Sequence, residues 1–154
     1  MIEIVEERRV NAPPAAVWKL VDDIGRYAEW FSFAERMEPL AGEGLGRRQR
    51  LHGRWGKKRS EVDQTIVTYD PERELGWRHD AERLDGKPAP VFAKETRFTI
   101  RLVPDGEGTI VRMESRQVPA SPAKGLVMKA FGTREVRGHL RRSLQRLAEL
   151  AERG

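Results

Sequence analysis

The sequence predicts an α+β fold, in which a curved antiparallel sheet of six or seven strands wraps around one long C-terminal helix. Three observations predict this fold. A strand-like run at the N-terminus is followed by two short helical segments. The middle of the chain has strand-like segments separated by short turns, which is typical of an antiparallel sheet. The chain closes with a long stretch whose apolar residues repeat at helical spacing.

The N-terminal segment predicts one strand and two short helices. Residues 2–10 have the pattern of a strand. Pro13 and Pro14 suit the first turn of the helix that follows, where a missing N–H costs nothing. Gly25 is the candidate residue for ending this helix, and residues 26–30 form the second one. The apolar stripe of the first helix consists of Val17, Leu20, Val21 and Ile24.

Six further strands are predicted in the middle of the chain. Turns rich in Gly, Asp and Pro separate them, such as the Asp-Pro turn at 70–73 and the turn at 104–108. On the outer face, Arg50 is expected to pair with Glu61 or Asp63 of the next strand. The predicted strands are residues 33–41, 47–54, 58–69, 74–82, 94–103 and 109–118, with a loop over 84–91.

The last helix is predicted to begin at Ser121, which is followed by a proline that suits the first turn. Residues 122–132 contain glycines that weaken a helix by about 1 kcal/mol each, and Val127, Met128 and Phe131 lie off the apolar stripe. We therefore predict that this segment is loosely coupled and acts as a lid. The alternative, that its glycines allow close packing on the sheet, stays open. The stripe itself comprises Leu126, Ala130, Val136, Leu140, Leu144, Leu147 and Ala151.

Composition limits the possible classes of protein. A chain of 154 residues fits a single domain over 1–154. No apolar run approaches the roughly 18 residues that cross a bilayer, no segment resembles a signal peptide, and a cytoplasmic location is expected. The absence of Cys excludes disulfides and thiolate ligands. The net charge of +5 is spread along the chain, so no nucleic-acid partner is expected. No cofactor is predicted, and a monomer or a homodimer is equally compatible with the sequence.

Residues 11–31, NAPPAAVWKLVDDIGRYAEWF, carry a family resemblance when they are taken together with the long closing helix. The chain resembles the polyketide cyclase/dehydrase-like branch of the START-related, Bet v 1-like (SRPBCC) superfamily. The resemblance covers essentially the whole chain and implies a helix-grip fold around an apolar cavity. It also implies a START-like domain that binds a hydrophobic small molecule, such as a lipid, a polyketide, an isoprenoid or an aromatic compound.

A cavity also follows from the geometry of the predicted fold, because one helix about 10 Å across cannot fill the concave side of a curled sheet. Strand alternation indicates which residues face this space, with a few polar residues in an apolar wall. The alternative, that these side chains simply pack as core, stays open for each of them. The predicted ligand-binding residues are Trp30, Phe33, Leu51, Gln64, Trp77, His79, Phe98, Ile100, Met113, Ser115 and Phe131.

The resemblance implies that the cavity opens between the turn after the third strand, the loop after the fifth and the start of the last helix. These places hold Trp55, Val91, Phe92 and Val127, all of them apolar. Trp55 stands beside Arg54, Lys57, Lys58 and Arg59, a combination that would suit transient contact with an anionic membrane or partner. The alternative, a hairpin end with one partly packed Trp, stays open.

Catalytic patterns are absent or weak. The chain has no Gly-x-Ser-x-Gly and no His-Glu-x-x-His motif, and its three histidines are too dispersed to predict a metal site. His52 falls on a charged face and His139 on the outer side of the helix. His79 is the one acid–base candidate of the cavity, since an imidazole titrates near neutrality. Three functions remain open: a binding or transport protein, a cyclase or dehydrase, and an interaction or stress protein acting through its basic surface.

Overall fold

One antiparallel sheet, with the strand order β1-β8-β7-β5-β4-β3-β2, dominates the computed structural model, which describes residues 1–154. A short strand, β6, pairs with β5 beside this path. The predicted sheet of six or seven strands is confirmed, with β6 as an addition. The strands are β1 (Ile2–Val10), β2 (Arg36–Ala41), β3 (Arg48–Trp55), β4 (Lys58–Asp70), β5 (Glu74–Leu84), β6 (Lys87–Pro88), β7 (Ala93–Asp105) and β8 (Gly108–Pro119).

Two short helices follow β1 as predicted, but the first ends earlier than the sequence pattern indicates. Helix α1 covers Pro14–Asp22, a 3₁₀ turn covers Ile24–Arg26, and α2 covers Tyr27–Trp30. Asp23 leaves the helical conformation, with φ −88° and ψ 94°. Its carboxylate accepts a hydrogen bond from the backbone N–H of Gly25 at 3.1 Å. The expectation that Gly25 ends α1 is therefore wrong, because Asp23 ends α1 and caps the 3₁₀ turn.

The C-terminal helix has three parts: α3 (Pro122–Val127), a π-helical segment (Met128–Gly132) and α4 (Thr133–Arg153). Ser121 caps α3 as predicted, because its Oγ accepts from the backbone N–H of Lys124 at 3.2 Å. The buried face of α4 includes Leu140, Leu144 and Leu147. None of the helices combines the length and apolarity that crossing a membrane requires.

The predicted apolar stripe does not continue back through α3. Leu126 is 71% exposed, although it has the spacing of the buried leucines of α4. A π-helical segment holds more residues per turn than an α-helix, so it rotates the residues before it out of register with those after it. The prediction that Leu126 shares the buried stripe is therefore wrong.

The connection from α2 to β2 forms a turn where the sequence pattern predicts the start of a strand. Ala34 donates its backbone N–H to the carbonyl of Phe31 at 2.8 Å, and Glu35 donates to the carbonyl of His52 at 2.8 Å. A Cβ on Gly53 would lie 2.5 Å from the carbonyl oxygen of Phe33. Only glycine permits this approach of the two backbones, and the contact holds Phe33 over the sheet.

Candidate functional site

A cavity of about 220 Å³ lies between the inner face of the sheet and the C-terminal helix. Strands β3, β4, β5, β7 and β8 supply most of its wall, and Val136 of α4 completes it. Seven residues of the wall are among the predicted ligand-binding residues: Phe33, Leu51, Gln64, Trp77, His79, Phe98 and Ser115.

Four predicted residues do not line this cavity. Ile100 and Met113 are fully buried and face each other across β7 and β8. Trp30 is also fully buried and packs against Tyr27, with 4.6 Å between ring centroids. Phe131 lies on the π-helical segment and is 78% exposed. Alternation identifies the inner face of a strand, but it does not say which inner residues are covered by a helix and which face open space.

Several wall residues were not predicted. Thr96 and Gln117 continue the inner faces of β7 and β8 by two residues, so strand alternation could have found them. Glu82 could not be found in this way. The pairing of β4 with β5 shifts between Asp63 and Gln64, and this bulge changes the alternation of β5. Further wall residues outside the prediction are Phe31, Gly53, Arg54, Ser60, Val62 and Val136.

Aromatic rings form one end of the cavity. Trp77 and Phe98, cross-strand partners on β5 and β7, stack with 4.8 Å between centroids and 15° between planes. Phe31 meets the ring of Trp77 edge to face at 5.6 Å and 90°. Such pairs are more favourable than burial alone would make them. They give this end of the wall a fixed apolar surface.

His139 of α4 packs behind the cavity against Phe33, which belongs to the wall. Their rings stack at 4.3 Å and 23°, and Nδ1 of His139 lies 2.7 Å from Oγ of Ser32. The expectation that His139 lies on the outer side of the helix is wrong, because the ring is half-buried against the aromatic cluster. Desolvation by this burial lowers the pKa of His139.

Three buried polar atoms of the wall have no hydrogen-bond partner: Nε2 of Gln64, Nε1 of Trp77 and Nδ1 of His79. The His79 nitrogen lies 3.6 Å from Oε1 of Glu82, beyond a good hydrogen bond. The imidazole still holds the pKa of Glu82 below its usual range. Buried polar atoms are rarely left unpaired in proteins, so these three atoms are candidate contacts for the polar group of a ligand.

A chain of polar side chains leads from the outside of the fold to the cavity wall. Arg47 lies 3.5 Å from the carboxylate of Asp22, which also accepts from the Tyr69 hydroxyl at 3.1 Å. Nε of Arg47 donates to Oε1 of Gln49 at 3.1 Å. Nε2 of Gln49 donates to Oε1 of Gln64 at 2.8 Å. Gln49 and Gln64 are both buried, so this chain is shielded from water.

The sheet is split beside the cavity. Strands β5 and β7 pair from Glu74 and Arg101 to Arg78 and Arg97, and beyond these residues they part. Two further depressions, of about 160 and 240 Å³, lie at this split and share Glu82 with the cavity.

The predicted mouth residues divide between these depressions. Trp55 and Phe92 line the smaller one, and Val91 lines the larger one. Trp55 and Val91 are exposed to solvent. Val127 is exposed on α3 and lines none of the three spaces.

Several arginines on the basic face of α4 form ion pairs or hydrogen bonds with other residues of the protein. Arg137 and Arg141 both contact the carboxylate of Glu6 on β1, at 3.0 and 2.9 Å, and Arg142 donates to Ser32. These contacts hold the pKa of Glu6 below its usual range.

No three His, Asp or Glu side chains lie together in an arrangement that could hold a metal ion.

Solved structures with the same fold cover nearly the whole chain. The protein TTHA0849 from Thermus thermophilus matches with a TM-score of 0.76 and 20% identity, over 98% of this chain and 97% of that protein. The ZhuI aromatase/cyclase from Streptomyces sp. R1128 matches with a TM-score of 0.69 and 23% identity, over 99% and 94%. Ara h 8.0201 matches with a TM-score of 0.67 and 14% identity, over 99% of both chains. At these identities the likeness shows the fold alone.

A search of curated proteins found no match. The family model described as "Polyketide cyclase / dehydrase and lipid transport" matches residues 1–152. This match agrees with the resemblance found in residues 11–31 and with the helix-grip architecture. The chain belongs to the polyketide cyclase/dehydrase and lipid transport family.

Proposed function

We propose that this protein binds a compact, largely apolar small molecule in the cavity between the sheet and α4. The observation that carries the proposal is the wall itself, in which an aromatic end stands beside three unpaired polar atoms. Apolar walls with a few polar groups are typical of small-molecule sites. Family membership supports hydrophobic ligand binding or cyclase activity in general.

The size of the cavity narrows the proposed ligand. Pockets for drug-sized ligands usually measure about 300–1,000 Å³, whereas this cavity measures about 220 Å³. A single aromatic or isoprenoid unit suits this volume better than a lipid with two acyl chains. Delivery of such a molecule from an anionic membrane would begin at the mouth, where Trp55 and Val91 are exposed.

Native mass spectrometry of freshly purified protein tests this proposal. We expect a co-purifying small-molecule mass in the wild type. Ser115→Phe should remove it, because Ser115 lines the cavity and a phenyl ring would fill that space. Arg116→Phe is the matched control, since Arg116 is the next residue of β8 and forms an exposed ion pair with Glu3 on the outer face. Equal amounts of co-purifying small molecule in Ser115→Phe and Arg116→Phe would contradict the proposal.

A cyclase or dehydrase is the second candidate function, and the placement of His79 favours it. His79 lines the cavity, and its Nδ1 faces the Glu82 carboxylate at 3.6 Å. A carboxylate beside an imidazole orients the ring for proton transfer. This pair would take a proton from an acidic carbon of a poly-β-carbonyl substrate, as an aldol cyclisation requires.

Substitution of His79 separates binding from catalysis. General acid–base catalysis contributes typically about 10²–10⁴-fold to a rate, so we expect His79→Ala to lower cyclisation of a poly-β-ketone mimic by that order. Its affinity for the mimic should change much less. His52→Ala is the control, because His52 bonds Glu38 on another part of the sheet, at 2.8 Å. Unchanged turnover in His79→Ala would contradict the catalytic role.

A further inference from the structure

We propose that the cavity selects guests that carry an oxygen acceptor, such as a carbonyl, because the polar chain beginning at Arg47 forces Gln64 to present an N–H donor. The inference rests on the proposed binding function and specifies its ligand. Gln64 is the residue that determines this selectivity, and Arg47 is a positioning residue that acts through it without lining the cavity.

Arg47, the first residue of the polar chain, determines which atom of each following amide donates and which accepts. A guanidinium has N–H donors and no acceptor, so the oxygen of the Gln49 amide must face Arg47. The Gln49 nitrogen then faces Gln64 and donates to its Oε1 at 2.8 Å. This contact leaves Nε2 of Gln64 as the free end of the chain. A glutamine amide can normally rotate by half a turn and present either its oxygen or its nitrogen. Here the Arg47 guanidinium fixes the orientation of the Gln49 amide, and Gln49 in turn fixes that of Gln64.

A second donor strengthens the same selection. The indole of Trp77 can only donate, and its Nε1 is buried without a partner in the wall that Gln64 also lines. A buried donor that is left without a partner is unfavourable, because it loses the hydrogen bond that it made with water. In the empty cavity, water would satisfy both groups. A hydrocarbon guest would displace that water and leave the donors unpaired, whereas a carbonyl guest would replace the bonds.

The test compares two guests of nearly the same shape, acetophenone and α-methylstyrene, in which a CH₂ group replaces the carbonyl oxygen. Their dissociation constants are measured by NMR titration of the full chain. The quantity that matters is the ratio of ketone affinity to alkene affinity in each variant. Comparing this ratio between variants removes the different costs of transferring the two compounds from water.

Gln64→Leu should lower this ratio at least about tenfold, which equals about 1.4 kcal/mol. Val62→Ala is the matched control, because Val62 lines the same cavity two residues away and offers no donor. It should change both affinities and leave their ratio intact. An unchanged ratio in Gln64→Leu would overturn the proposal.

Substitution of Arg47 tests the direction of the hydrogen bonds from Arg47 to Gln64 without changing a residue that lines the cavity. Arg47→Met removes the fixed donor, so both amides are free to turn over and the ratio should fall. Arg47→Lys restores a group that can only donate, and the ratio should recover. A role for Arg47 in folding alone would change stability without changing this ratio. Retention of the wild-type ratio in a folded Arg47→Met protein would overturn the inference.

Failure of the inference and failure of the proposed function give different results. If wild-type protein binds both compounds and the ratio does not respond to Gln64 or Arg47, the donor proposal is wrong and the binding function stands. If wild-type protein binds neither compound and carries no co-purifying mass, the proposed function is wrong, and the donor proposal fails with it.

Discussion

Asp63 joins two neighbouring strands on the outer face of the sheet. Its carboxylate lies 2.6 Å from Nε of Arg50 on β3 and 2.9 Å from the guanidinium of Arg83 on β5. The pairing of Arg50 with Asp63 agrees with the cross-strand ion pair expected from alternation, and Arg83 is an addition. Hydrogen bonds from Arg50 and Arg83 lower the pKa of Asp63 to about 2, against an ordinary value of 3.8.

We expect Asp63→Asn to lower the free energy of unfolding by about 2 kcal/mol near neutral pH, because each pKa unit corresponds to about 1.4 kcal/mol. The Asp63 side chain is only 11% exposed, so water screens it little. Since the folded pKa is depressed, the stabilisation is present above pH 3.8 and is lost as the pH falls through about 2. Urea unfolding at several pH values measures it.

Asp105→Asn is the control for this measurement. Asp105 pairs with Arg9 at 2.8 Å, and both side chains are about half exposed. Exposed pairs of this kind contribute about 0–1 kcal/mol. If the two variants lose the same stability at neutral pH, the burial of Asp63 does not have the effect that we assign to it.

Among single residues, the polar wall residues that continue a strand alternation were predictable from the sequence. Gln64, His79 and Ser115 were all predicted and all line the cavity. Glu82 was missed because a bulge in the pairing of β4 and β5 brings it to the inner face, and no local residue pattern marks that bulge. Phe131 was wrongly placed on the wall, because its apolar character gave no information about the π-helical segment that carries it.

Among the elements, the first part of the C-terminal helix, residues 122–132, makes few packing contacts with the core. Leu126, Val127 and Phe131 are all exposed, so the segment buries little apolar surface. Gly125 packs closely on β8, where an added Cβ would lie 3.0 Å from Pro119. The alternative that glycines serve close packing therefore holds for Gly125. It does not hold for Gly132, where an added Cβ would meet nothing within 4 Å.

We expect amide hydrogens of residues 122–132 to exchange faster than those of 140–147, and a bound guest to slow the first group. The reason is the small number of packed contacts in the first segment, since local opening reflects such contacts. Hydrogen exchange followed by mass spectrometry measures the difference. Gly132→Ala should slow exchange there by favouring the helix, whereas Gly125→Ala should not, because its Cβ would press on Pro119. Equal protection of both segments would contradict the prediction that the first acts as a lid.

At the scale of the whole molecule, the order of elements was predictable and their spatial arrangement was not. Prolines, turns and alternation locate a strand, two helices, six strands and a long helix in sequence. No local signal places β1 beside β8, where residues more than one hundred positions apart, such as Ile4 and Ser115, pair at one edge of the sheet. The family resemblance implied a curved sheet that grips the helix, and the structure agrees with this, but no strand order was predicted.

For the binding function that we propose, the split between β5 and β7 would affect how quickly a guest enters and leaves the cavity. The two strands share no ladder hydrogen bonds beyond Arg78 and Arg97, so widening the gap there breaks no sheet pairing between them. The barrier to passage then arises from the side chains at the rim, such as Glu82 and Thr96, and from the loop that crosses the gap. Substitutions at this rim should therefore change the residence time of a guest without breaking the pairing of β5 with β7.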